Sequence, residues 1–370
     1  MIDWYSDQTN VLLNPRMPEK QRIKLESIHN FSEKFKGHVW LCTSGSTAVK
    51  LVALSKEAIL ISASAVNTHL QSKSSDIWLN PLPIFHVGGL GVIARGHLNG
   101  AKVIPYSAEW DPKDFHKALK ENSATLTALV PTQLYDLIQA NYEAPPTLRA
   151  IVVGGGGLSP HLLKQALHLG WKVLQSYGMT ETASQIATAS LDSNEEYSTM
   201  QILPHMDVWT TNEGRICIQS RSLLSAYAHE KKEGWEIIDP KKDGTFLTED
   251  VGSVAGNTLK IIGRYCDFIK IGGESVHLLR LEHLLEDIKL KNQIEGDLAL
   301  VPVPDERLGH VIHLAVAGIS PEALKALVSY YDTHVMPFEK IRKVHLLQGI
   351  PRSAMGKLLK NDLLQALTKF

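Results

Sequence analysis

Between residues 38 and 177, short apolar runs alternate with stretches whose apolar positions recur at helical spacing. VWLCT precedes SKEAILISASAVNTHL, IWLNPL precedes VGGLGVIARGHL, AKVIPY precedes DPKDFHKALK, ATLTALV precedes PTQLYDLIQ, and LRAIVV precedes SPHLLKQALHLG. Strand and helix recurring in this order predict a parallel sheet with helices packed on it, an α/β fold. Asp111 with Pro112, and Ser159 with Pro160, read as an N-cap followed by a first-turn proline. Gly170 ends a helix before WKVLQSYG.

From 205 to 265 the pattern changes to short strands and turns (VWTTNEGRICIQS, GTFLTEDVG, NTLKIIGRY), which predicts an antiparallel β layer. The tail mixes helical stretches (LLRLEHLLEDI, SPEALKALVSYY) with strands (DLALVPVP, VIHLAVAG, KVHLL), as in a small α+β domain. A boundary near Arg264 divides the chain into 1–263 and 264–370. With no solenoid repeat and no low-complexity linker, the two parts are expected to meet at a tight hinge.

A chain of 370 residues, 44% hydrophobic and 21% charged, can bury a sizeable core and form two or three domains. Thirty-eight basic residues against 39 acidic ones leave a net charge of -1, so no global field draws nucleic acid or an anionic membrane. An anionic ligand must therefore be held by a local site. Cys42, Cys217 and Cys266 are far apart, odd in number and without metal or redox spacing, which suits a reducing compartment. MIDWYSDQTN lacks the pattern of a secretory signal, and no apolar run reaches the ~18 residues of a membrane helix. A cytoplasmic protein without a membrane span is expected.

Several segments carry candidate chemistry. TSGSTAVK (Thr43, Ser44, Gly45, Ser46, Thr47 and, after two residues, Lys50) stands at an expected strand end, ahead of a helix. Hydroxyls, glycine amides and a lysine on one loop can close on a triphosphate, although the segment is not the GxxxxGK[ST] loop of strand-loop-helix NTPases. GGGGLS (154–159) follows a strand and opens a helix, so a flat ring could lie on its backbone at Gly155 and Gly156. SYGMTETASQ offers an aromatic face in Tyr177, a hydroxyl in Thr180 and a magnesium carboxylate in Glu181. Asp250 of TED could accept ribose hydroxyls, Arg264 of GRYCDFIKIGGES adds a donor, and PRSAMGK places Lys357 on a glycine-containing turn. Taken singly, each has a plainer reading: a polar surface turn, a tight glycine turn, a solvated lysine. Their order is the informative feature.

TSGST, LPIFH, GGGG, YGMTE, TED, GRxxDxIKxGGE and PRSxxGK, in that sequence, resemble the adenylate-forming superfamily of acyl-CoA synthetases, peptide-synthetase adenylation domains and luciferases. The likeness runs from about residue 40 to the C-terminus. LPIFHVGGLGV, ALVPTQL and SYGMTETASQI look most like the 2-succinylbenzoate-CoA ligases of menaquinone synthesis. Variants of these stretches also occur in medium-chain and aryl-CoA ligases.

The resemblance implies a ligase that uses ATP, Mg2+ and CoA to adenylate a carboxylic acid and pass the acyl group to CoA. Thr43 to Thr47 and Lys50 would grip the β and γ phosphates. Gly155, Gly156 and Tyr177 would sandwich adenine within a wall that includes Ser176, Gly178 and Met179. Thr180 would meet the α phosphate, Glu181 the magnesium, and Asp250 with Arg264 the ribose. Lys357 would bridge the acid's carboxylate and the α phosphate. Cys266 would be the hinge about which the C-terminal domain turns, bringing Gly272 and Gly273 to the CoA tunnel. His86 would gate the acyl pocket, and Arg95, Ser184 and Gln185 would contact the acid. From the residues alone, His86 is equally a satisfied histidine at a strand end. Arg95, in the apolar helix VGGLGVIA, either emerges at the surface or pairs with an anion inside.

Two features depart from the family pattern. Ala48 and Val49 replace the usual glycine and proline of the phosphate loop. Members also carry a longer segment ahead of that loop, so an α/β layer is expected to be trimmed here or supplied by a partner chain. A homo-oligomer is compatible with these features. The alternatives are a ligase for another aryl or fatty acid, acting on CoA or a carrier protein, and a non-catalytic adenylate-binding protein. Joint retention of Glu181, Asp250, Arg264 and Lys357 argues against the last.

Overall fold

The computed structural model describes residues 2–31, 33–44, 49–192, 199–231, 234–265, 268–292, 294–352 and 358–368. Two compact units are distinguished, one formed by Met1–Thr248 with Gly252–Ile261, the other by Glu249–Val251 with Ile262–Phe370.

In the first unit the alternating pattern yields the helices Lys56–His69, Val87–Asn99, Pro112–Glu121, Pro131–Gln139 and Pro160–His168. The caps form as their chemistry requires: Asp111 accepts the amide of Asp114 at 2.9 Å, and Ser159 that of Leu162 at 3.1 Å. Parallel strands run in the spatial order Lys102–Pro105, Ile77–Asn80, Leu126–Leu129, Ala150–Val153 and Val173–Met179. Leu126–Leu129 and Ala150–Val153 are buried at every position, as befits strands covered on both faces. The sheet continues through Ser184–Ala189 and Met200–Ile202, both antiparallel to their predecessors, then Thr258–Arg264, Phe246–Ala255, Arg215–Gln219 and Asp207–Thr210. The expected β layer is thus an extension of the parallel sheet.

One end of the parallel strands is fastened by an ion pair. Asp76, just before Ile77–Asn80, accepts Arg149 Nε at 2.9 Å and Nη2 at 2.8 Å from just before Ala150–Val153. Thr125 Oγ1 and the Lys73 amide also donate, each at 2.8 Å. Burial alone would raise the Asp76 pKa, but the hydrogen bonds from Arg149, Lys73 and Thr125 hold it down at about 2.

A second sheet has the order Asn10–Leu12, His38–Ser44, Val49–Ser55, Ala226–Glu230, Trp235–Ile238. This corrects two expectations. VWLCT does not enter the parallel sheet, and TSGSTAVK does not lead directly into a helix: it joins two antiparallel strands, and Lys50 lies in the second. The cause is LVAL, whose residues Leu51 to Leu54 are all fully buried, so this continuous apolar run is a strand covered on both faces. The helix starts after Ser55, whose hydroxyl accepts the Ala58 amide at 3.0 Å.

The second unit contains the sheet Glu274–His277, Phe268–Ile271, Gly309–Ala317, Asp297–Asp305, with Ile341–Leu346 parallel to Gly309–Ala317. Leu278–Lys291 and Pro321–Thr333 contribute Leu281, Leu285, Leu327 and Tyr331 to its core. Gly272 (φ 60°) and Gly273 (φ 90°) form the two-residue turn between Phe268–Ile271 and Glu274–His277, a conformation that favours glycine at both places. Among the described residues no helix is long and apolar enough to cross a membrane.

Candidate active site

The carboxyl ends of parallel strands are where an open α/β sheet leaves a crevice. Here a cavity of about 330 Å³ lies among Val130, Gly154 and Gly155, which follow two of the strands, and Ser176, Gly178, Thr180, Ser184 and Gln185. Leu82, Pro83, His86 and Arg95 line it as well. Two close backbone approaches shape the walls. A Cβ on Gly178 would lie 2.0 Å from the Ser184 carbonyl oxygen, and one on Gly89 would lie 2.4 Å from the carbonyl oxygens of Leu82 and Pro83. Ala183 (φ 54°) and Ser184 (φ 128°) adopt left-handed backbone at the turn between the strands, strain of the kind that collects at functional sites.

Arg95 is the unusual group. It is 2% exposed, so the surface alternative is excluded. Its Nη2 lies 3.4 Å from Ser184 Oγ, and its guanidinium carbon lies 5.5 Å from the Trp78 ring centre. Its Nε has no hydrogen-bond partner, and no carboxylate pairs with it among the described residues. Burial lowers its pKa to about 10, which leaves it charged at neutral pH. A buried, uncompensated cation lining a cavity is a site for an anion. Next to it, Gln185 Oε1 receives the hydroxyl of Thr188 at 2.5 Å, which fixes the side-chain amide. His86 precedes the first turn of Val87–Asn99 at the exposed rim, and desolvation against the cavity wall lowers its pKa.

A second cluster gathers around Glu181, in the short turn Thr180–Thr182. Glu181 Oε1 accepts Lys50 Nζ at 3.1 Å and the Tyr227 hydroxyl at 2.8 Å, while Lys50 Nζ lies 3.9 Å from the centre of the Tyr227 ring. Strand pairing explains the meeting, since Val49–Ser55 and Ala226–Glu230 are antiparallel neighbours with Lys50 opposite His229 and Val52 opposite Tyr227. Thr43 Oγ1, at the end of the preceding strand, is buried and has no partner among the described residues.

The family model for AMP-binding enzymes matches residues 33–228, more than half of the chain. The chain belongs to the AMP-binding enzyme family. This AMP-binding enzyme is 29% identical over 340 residues to the 2-succinylbenzoate-CoA ligase of Bacillus cytotoxicus, covering 88% of this chain and 69% of that protein. It is 27% identical over 338 residues to the corresponding ligase of Bacillus cereus, covering 87% and 69%. The O-succinylbenzoate coenzyme A synthetase of Bacillus subtilis in complex with AMP superposes with a TM-score of 0.73 at 25% identity, covering 88% of this chain and 68% of the other. The unliganded form of that synthetase shares the fold with a TM-score of 0.75 at 21% identity, covering 92% and 83%.

In the AMP-binding enzyme, the residues singled out from sequence fall in several places. Gly155, Ser176, Gly178, Thr180, His86, Arg95, Ser184 and Gln185 share the cavity, and Lys50 meets Glu181. Tyr177 and Met179 alternate with the cavity-lining Ser176, Gly178 and Thr180 and pack instead against the core that holds Leu90 and Ile186, as strand periodicity requires. Gly156 lies beside Pro131, where a Cβ would sit 3.4 Å from its ring. Asp250 and Arg264 belong to the second unit, with Arg264 Nε 3.6 Å from Asp250 Oδ1. Gly272 and Gly273 are there too, in the hairpin turn. Gly45, Ser46, Thr47, Cys266 and Lys357 lie outside the described residues, as does the side chain of Ser44. Tyr227, Thr188 and Trp78 were not singled out. Tyr227 stands in the alternating strand AYAHE, where no local signal separates it from a packing residue.

Proposed function

We propose that the chain is an ATP-dependent acid-thiol ligase that converts 2-succinylbenzoate to its acyl-adenylate and then to 2-succinylbenzoyl-CoA, as in menaquinone synthesis. The observation that carries this reading is the buried, unpaired Arg95 in the cavity. 2-Succinylbenzoate has two carboxylates; one reacts and the other stays ionised. A monoacid would leave Arg95 uncompensated, whereas the diacid brings the counter-ion with it. The relatives named as 2-succinylbenzoate-CoA ligases favour the same acid.

The chain's own groups divide the work as follows. Arg95 and Ser184 hold the non-reacting carboxylate, and Gln185, its amide fixed by Thr188, donates to the acid. His86 stands at the mouth between this pocket and the entry of the thiol, where desolvation lowers its pKa and disfavours the charged imidazolium. Gly155 and Gly156 border the adenine, and Thr180 donates to the α phosphate; Tyr177, packed against the core, supports this strand from behind. Thr43 to Thr47 and Lys50 take the β and γ phosphates, and Asp250 with Arg264 the ribose. Lys357 stabilises charge at the α phosphorus. Glu181 offers one hard carboxylate beside the phosphate-binding Lys50, a donor set that fits Mg2+ completed by nucleotide oxygens. That ion would neutralise phosphate charge as pyrophosphate leaves. Residues 264–370 act as a mobile domain turning at Cys266, so that Gly272 and Gly273 line the CoA path in the second half-reaction. The cysteine pattern favours a cytoplasmic setting.

The test is incubation of the protein with ATP, Mg2+, CoA and, separately, 2-succinylbenzoate, benzoate, 4-coumarate and octanoate, with thioesters and nucleotides read by mass. 2-Succinylbenzoyl-CoA with AMP and pyrophosphate is expected. ADP as the nucleotide product, or preference for a monoacid, would overturn the reading.

A further inference from the structure

Lys50, Glu181 and Tyr227 each contact the other two. The ammonium sits 3.1 Å from the carboxylate and 3.9 Å above the phenol ring, and the phenol hydroxyl donates to the same Oε1 at 2.8 Å. Lys50 is the cation assigned to the triphosphate and Glu181 the carboxylate assigned to magnesium. Without nucleotide, each is the other's counter-ion. The pair is largely shielded from water, with side chains 25% and 13% exposed, so breaking it without replacement has a real electrostatic cost.

We propose that this cluster is a charge-exchange latch that makes nucleotide binding select the magnesium-loaded triphosphate, with Tyr227 as its positioning residue. The inference rests on the ligase reading above. Free ATP can take Lys50 only by stripping Glu181 of its cation and bringing four negative charges beside the bared carboxylate. The magnesium complex avoids this penalty: as a phosphate oxygen replaces Glu181 on Lys50, the metal replaces Lys50 on Glu181. Both charges stay compensated throughout. Tyr227 keeps its hydroxyl on Oε1 and its ring under the ammonium, which holds both groups at the exchange point and lowers the entropy lost when the new contacts form.

The latch makes an unusual prediction for Glu181→Gln. By removing the resident counter-ion it should free Lys50, so metal-free ATP should bind more tightly than to the unaltered protein, by about tenfold for a partly buried charged pair. Tyr227→Phe, which removes only the hydroxyl, should narrow the gap between the two nucleotide forms by several-fold. The measurement is calorimetric titration of the full chain with ATP in EDTA and with ATP in excess Mg2+, so it does not depend on turnover. Unaltered protein should prefer the magnesium form, and both variants should show a smaller ratio. If Glu181→Gln binds metal-free ATP no better, or if Tyr227→Phe keeps the ratio of the unaltered protein, the latch is overturned while the ligase reading stands. Unaltered protein that binds neither form would overturn both.

Discussion

The two ends of the same parallel strands treat a guanidinium in opposite ways. At the amino ends, Arg149 is tied to Asp76 by two hydrogen bonds of 2.8 and 2.9 Å, and Thr125, Ser72 and a backbone amide also donate to the carboxylate. At the carboxyl ends, Arg95 is more deeply buried, yet it has one long hydrogen bond to a serine and an unpartnered Nε. The first arrangement is complete without a ligand; the second is complete only with one. A cation fixed by its own chain serves the fold, and a cation without a carboxylate of its own is the basis of the acid-binding role proposed for Arg95.

Four experiments test this contrast. The largest effect is expected for Arg95→Ala with 2-succinylbenzoate: kcat/KM should fall by about 10- to 100-fold, the worth of a charge-assisted contact of ~1.5 to 3 kcal/mol. An analogue lacking the aromatic carboxylate should lose only a few-fold. Equal losses for both would mean that Arg95 does not read the anion. Next, Asp76→Asn should destabilise the chain by about 2 kcal/mol in chemical denaturation, leaving the KM for the acid unchanged. The folded pKa of Asp76 is depressed, so its contribution is present above the ordinary value of 3.8 and is lost as pH falls through about 2. The variant should accordingly show a flatter decline in stability between those values.

Smaller, and opposite in sign, is Arg95→Met. With the uncompensated charge removed, the ligand-free protein should gain ~1 kcal/mol and unfold at a higher temperature while losing the diacid. A destabilised variant would mean that Arg95 is compensated at rest. The smallest effect is expected for Thr188→Val, which keeps the side chain's volume but releases the amide of Gln185. The KM for the diacid should rise several-fold, by ~1 kcal/mol, with kcat nearly unchanged. A loss confined to kcat would assign Thr188 to another role.

Much of this architecture can be read from the sequence, and its limits have physical reasons. The parallel sheet is legible because each strand is a short apolar run set off by a helix with its own cap, as at Asp111 and Ser159. Glycine-rich and hydroxyl-rich segments mark the cavity because backbone must pass close to backbone there, as at Gly178. LVAL is not legible as a strand, since a four-residue apolar run just ahead of a helical pattern merges with it; its partner strands, His38–Ser44 and the distant Ala226–Glu230, separate them. The burial of Arg95 depends likewise on Trp78 and Ser184, which are remote in sequence. Tyr227 and Thr188 touch the site only through other side chains, Glu181 with Lys50 and Gln185, and local pattern carries no trace of such contacts.

Gly178 constrains how this pocket could be remodelled in evolution. Because its Cβ would fall 2.0 Å from the Ser184 carbonyl, even alanine would pry the strand Val173–Met179 away from Ser184–Ala189. The first of these strands leads to Thr180 and Glu181, proposed for the phosphates, and the second carries Ser184 and Gln185, proposed for the acid. Drift at this turn would therefore disturb both substrates at once. The helix Val87–Asn99 carries Arg95 without carrying any of the groups assigned to phosphate, so exchanging one acid for another is freest there. Lineages that changed substrate while keeping ATP should show their substitutions along that helix, with the glycine left in place.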